Sequence, residues 1–114
     1  MMQQLLETTI KSNASDLHLL VGSAPMLRID GHLTPITNQP VLTPETSKEL
    51  VLSILNPQQK ELLLVNKEID FSFGFGEGGR FRVNAYFDRD RVAAALHLLP
   101  AKIRSVEELN MPAI

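Results

Sequence analysis

Cysteine is absent from these 114 residues, which excludes disulfides, thiolate metal ligands and a cysteine nucleophile. No apolar run approaches the ~20 residues that a membrane-spanning helix requires. Met1 to Ile10 forms an amphipathic stretch without the basic start and compact apolar segment of a signal or transit peptide, so the expected location is the cytoplasm. Basic excess is missing too: a net charge of −2 argues against general nucleic-acid binding, which needs a positively charged face. Internal repeats and low-complexity segments are likewise absent. What is present, 44% hydrophobic and 21% charged residues, suits one soluble domain. A chain of this size can bury roughly two thirds of the surface its unfolded form exposes.

The apolar pattern changes period along the chain. Met2, Leu5, Leu6 and Ile10 recur at helical spacing and predict a helix over 2–12. Residues 16–21 and 26–30 have strand composition, and Asp30-Gly31 between Ile29 and His32 signals a tight hairpin. Thr43-Pro44 starts a second helix, with Leu50, Val51, Ile54 and Leu55 as its buried side. Asn56-Pro57 ends that helix and starts a third to about Val65, with Gln59 at the reciprocal capping position. Residues 68–75 alternate cleanly, and 92–99 are apolar on both faces, which predicts a central strand. Ser105 to Leu109 suggests a short further helix. The order predicts an α+β domain, an antiparallel sheet with helices mainly on one face and the opposite face left for a partner.

Several chemical readings fail on their own requirements. The glycines from Gly74 to Gly79 lie between two strands, whereas a phosphate loop leads into a helix and carries a lysine followed by serine or threonine. Asp16 and His18 share a strand face, but they lack the third and fourth ligands of a metal site, and a turn or capping role for Asp16 is preferred. No serine lies in a nucleophile turn. Asp70 is expected to pair with an arginine on the neighbouring strand.

The stretch from Gly79 to Pro100 is the most informative. Phe81, Val83, Ala85 and Phe87 alternate with Arg80, Arg82, Asn84, Tyr86 and Asp88, so a strand here buries one face and offers the other. Arg82 belongs to the polar face, and Arg89 and Arg91 flank the following turn. Convergence of these guanidinium groups would suit an anion such as phosphate. A surface or domain-interface role is the competing reading, and Arg80 is read as solvated.

The segments ASDLHLLVGSAPMLRIDGHL (14–33), EIDFSFGF (68–75), RFRVNAYFDRD (80–90), ALHLLP (95–100) and IRSVEELNMP (103–112) resemble, in order and spacing, the N-terminal domain of the type IV pilus retraction ATPases, the PilT family of the secretion ATPase superfamily. The resemblance spans essentially the whole chain. It implies a PAS-like N-terminal domain over 1–104, with 105–114 beginning the linker to a RecA-like ATPase core whose Walker A and Walker B motifs these residues do not contain. A start at residue 1 without a preceding adaptor favours retraction over assembly motors in that comparison. The fragment is not expected to hydrolyse ATP or hold a cofactor alone; ATP and Mg would belong to the full-length protein.

In this family arginines of the N-terminal domain approach the ATP phosphates. Arg82 matches one such position, while the second falls at His97, which lacks the permanent forked charge of arginine. Asp90 stands where many relatives carry glycine, and Arg91 is a candidate to compensate for His97. The resemblance therefore assigns Arg82, Arg89, Arg91 and His97 to the phosphate side of an ATP cleft. Further implied partners are the ATPase core, neighbouring subunits of a homohexamer and an inner-membrane pilus platform protein, placing the motor at the inner membrane's cytoplasmic face. Arginine contact with the γ-phosphate would favour a closed domain arrangement and hydrolysis would release it. The alternative is a stand-alone PAS-like ligand-binding or dimerisation module.

Overall fold

The computed structural model describes residues 2–76 and 79–99. The first helix, α1, runs Met2–Lys11 and buries Met2, Leu5, Leu6 and Thr9. Thr9 thus takes the inward position expected of Ile10, which is 37% exposed. The substitution is possible because the Thr9 hydroxyl donates to the Leu5 carbonyl at 2.8 Å, leaving its methyl for the core.

Three strands follow: β1 (Asp16–Leu19), β2 (Met26–Ile29) and β3 (His32–Pro35). The first is shorter than expected, since Gly22 turns at positive φ. Asp30 and Gly31 both adopt positive φ (51° and 82°), the twist-matched hairpin conformation their residue types predict. Next come α2 (Pro44–Leu52) and α3 (Pro57–Asn66), each with proline in its first turn and a closed capping box. Asn56 and Gln59 cap each other's backbone N–H groups as expected. In α2 the reciprocal partner of Thr43 is Thr46. Leu50, Val51 and Leu55 are buried, and α3 ends at Lys67 in the left-handed region.

The remaining strands are β4 (Glu68–Phe75), β5 (Gly79–Asp88) and β6 (Arg91–Leu98). All six form one antiparallel sheet in the order β3-β2-β1-β6-β5-β4, with β6 central as its two apolar faces require. Leu17, Leu19, Phe81, Val83, Val92 and Leu96 point into a core shared with Leu5, Leu6, Val51 and Leu63 of the helices. Burying such side chains contributes about 1.5–3 kcal/mol each. Ser47 of α2 donates its buried hydroxyl to the Val92 carbonyl, pinning helix to sheet without an unsatisfied polar atom.

The fold is therefore α+β, with core side chains from all three helices gathered on one sheet face. The helix expected at 105–109, the domain limit at 104 and the linker over 105–114 lie outside the described residues.

Candidate functional site

The face opposite the core is assembled by register. One row across it reads Ser72, Arg82, His97, Asp16 and Arg28, each directly opposite the next on neighbouring strands. The adjacent row reads Asp70, Asn84, Ala95, His18 and Met26. Ala95 has the smallest side chain in its row, and it floors a shallow depression of about 260 Å³ walled by Asp16, Asp70, Arg82, Asn84 and His97.

Arg82 is held within this depression rather than free. Its Nε and one terminal nitrogen donate to the two Asp70 oxygens at 3.3 and 3.1 Å, the forked geometry that makes arginine–carboxylate pairs specific. The two residues sit diagonally across β4 and β5, which confirms the expected cross-strand pair. The Asp70 hydrogen bond and charge raise the Arg82 pKa above its already high ordinary value. A raised folded-state value favours the folded form below the unfolded arginine range and is lost only above it, so the Arg82 shift contributes no pH dependence to stability near neutrality.

Three other donors of the face also have acceptors. Asn84 donates to Glu68 at 2.9 Å, Arg80 to the Ser72 hydroxyl at 3.2 Å and Arg28 to the Gly31 carbonyl at 3.2 Å. His97 Nδ1 stands 3.6 Å from an Asp16 oxygen, an ion-pair separation when the ring is charged rather than a hydrogen bond. Asp16 also accepts from Ser15. His18 shares the face with Asp16, and its Nε2 is buried without a hydrogen-bond partner. Among the described residues no group of three or more His, Cys, Asp and Glu side chains is placed to hold a metal.

The four candidate residues do not converge. His97 lies directly opposite Arg82, whereas Arg91 lies opposite Asp88, six residues further along β5. At ~3.4 Å per residue that separation is about 20 Å. Arg89 and Asp90 form the two-residue turn at that far end, both at positive φ (56° and 66°). Arg91 Nε approaches the Asp88 carbonyl at 3.5 Å, and the side chain lines a separate depression with Pro44, Glu45 and Lys48 beside α2. The expected meeting of Arg82 with Arg89 and Arg91 is corrected by the length of the strand between them. Sequence reading missed that Asp16, Asn84 and Ala95 join Arg82. Counting back equally from the Arg89-Asp90 turn pairs Arg82 with His97, a signal that was available.

No protein-family model matches the chain. It is 38% identical over 108 residues to the type IV pilus retraction ATPase PilT of Pseudomonas aeruginosa, covering 95% of this chain and 31% of that protein. It is 34% identical over 112 residues to the type IV pilus ATPase PilU of the same organism, covering 98% and 29%. The crystal structure of the pilus retraction motor PilT with bound ADP superposes with a TM-score of 0.84 at 35% identity, covering 96% of this chain and 32% of that one. The chain is homologous to the N-terminal domain of the PilT-type pilus ATPases. It spans about a third of the length of these relatives.

Proposed function

We propose that this chain acts as the N-terminal domain of a type IV pilus retraction motor, the sheet face opposite its core forming one wall of a nucleotide cleft against a RecA-like ATPase core. The observation that carries this reading is homology along nearly the whole chain to PilT and PilU, joined to an exposed arginine on the face that none of the described helices covers. In this reading Arg82 is the phosphate ligand and His97, directly opposite, its closest neighbour on the central strand. Arg89 and Arg91 serve another contact, since the strand length keeps them from the same phosphate.

ATP with Mg would be held mainly by the core, and this domain would supply charge rather than bond-making groups. Arginine engagement of the terminal phosphate favours the closed arrangement of the two domains, and hydrolysis removes the preference. Repeated around a homohexamer at the cytoplasmic side of an inner-membrane pilus platform, such shifts of a PAS-like domain against the core would drive pilus disassembly. The test is ATP turnover by the complete motor carrying Arg82→Ala. Turnover is expected to fall at least tenfold, as for loss of a transition-state charge donor, where each ~1.4 kcal/mol is a factor of ten; unchanged turnover refutes the reading.

A further inference from the structure

The depression around Arg82 has a charge balance unlike that of an open anion site. Its walls carry two carboxylates, Asp16 and Asp70, against one arginine and His97. Asp70 already occupies both donors on the Nε edge of the guanidinium, at 3.3 and 3.1 Å. Asp16 lies between His97 and Arg28 in the register row, with one carboxylate oxygen 3.6 Å from His97 Nδ1. An anion arriving here meets a cation whose charge is cancelled.

The geometry points to Asp70 as an affinity-determining residue, a built-in counter-ion that holds Arg82 while the site is empty and must be exchanged for the terminal phosphate when it fills. The inference rests on the reading of Arg82 as a phosphate ligand. Exchange is feasible because the pair is exposed, 66% for Arg82 and 47% for Asp70, so breaking it leaves neither charge buried. Asp70 belongs to the outermost strand β4, with Asn84 opposite it, and its side chain accepts from no residue but Arg82 among the described hydrogen bonds. Its loss therefore frees the arginine without removing another of the described side-chain hydrogen bonds. A polyphosphate carrying several charges outcompetes a single carboxylate, whereas a monoanion does not. The site thus selects highly charged phosphate chains and returns Arg82 to a defined resting position after they leave.

The experiment is titration of this chain with inorganic tripolyphosphate at low ionic strength, followed by the NMR signals of the Arg82 side-chain Nε–H and the backbone amides of β5 and β6. Asp70→Asn keeps the side-chain shape and is expected to bind about fivefold more tightly than the parent chain, the scale of an exposed ion pair plus a removed like charge. Arg82→Gln in either background is expected to abolish binding. A structural role for Asp70 would not produce tighter binding, since disordered protein does not gain affinity. If Arg82→Gln abolishes binding and Asp70→Asn binds equally or more weakly than the parent, the counter-ion role is overturned while the phosphate reading stands. If Arg82→Gln leaves binding unchanged, the phosphate reading itself falls. Absence of tripolyphosphate binding by Asp70→Asn overturns the counter-ion role as well.

Discussion

Phe81 and Arg82 are consecutive in sequence and lie on opposite faces of one strand, so they compare the two sides of the sheet directly. Phe81 is fully buried, stacked with Phe73 at a ring separation of 5.8 Å and enclosed by the core. Arg82 is two-thirds exposed, and among the described residues its side chain bonds only to Asp70. One face holds the domain together and the other is free to be spent on recognition. Function and stability should accordingly separate by residue parity along β5.

The largest expected effect lies on the covered face. Phe81→Ala should cost about 3–5 kcal/mol, the usual range for emptying a core aromatic site, read as a lower denaturant midpoint with an unchanged slope. Gly79→Ala should follow. A Cβ there would collide with the Phe75 carbonyl oxygen and press on the Ile10 side chain at 2.9 Å, distorting the start of the β4–β5 pairing. The expected loss is about 1–3 kcal/mol by chemical denaturation. Ser47→Ala removes the buried bond between α2 and β6 and should cost about 1–2 kcal/mol in the same assay.

The effects become small outside the core. Asp90→Gly should raise stability by about 0.5 kcal/mol, because its left-handed turn position favours glycine over any side chain. Calorimetry can register this as a Tm rise of a few degrees. Arg82→Ala should leave Tm unchanged, since its pair with Asp70 is exposed and screened by solvent. A Tm fall for Arg82→Ala comparable with that of Phe81→Ala would break the division between faces.

Much of this division was readable in the residues. The alternation over 68–75 and 79–88 marked which side chains face inward, and Asn56-Pro57 with Gln59 marked a helix start that the hydrogen bonds reproduce. Ile10 was misassigned because residue type outweighed helical angle, and a threonine that satisfies its own hydroxyl can occupy the inner position. The site was less legible. Asp70, Asn84, Ala95 and Asp16 come from different strands, and only register brings them beside Arg82. The apparent cluster of Arg82, Arg89 and Arg91 reflected closeness in sequence, which an extended strand converts into distance. Glycine was absent at the turn although both residues there need positive φ, so the Arg89-Asp90 hairpin lacked its strongest local signal.

ATP turnover by the complete motor, compared between Arg82→Ala and Arg91→Ala, tests the central claim most directly. Arg82→Ala is expected to lose at least tenfold, as on deleting a phosphate-facing charge, and Arg91→Ala to change at most about twofold, since this half-buried residue lies at the far end of the strand pair, outside the Arg82 depression. Equal losses for the two variants, or a loss confined to Arg91→Ala, would contradict the assignment of the phosphate-facing wall to the Arg82 row.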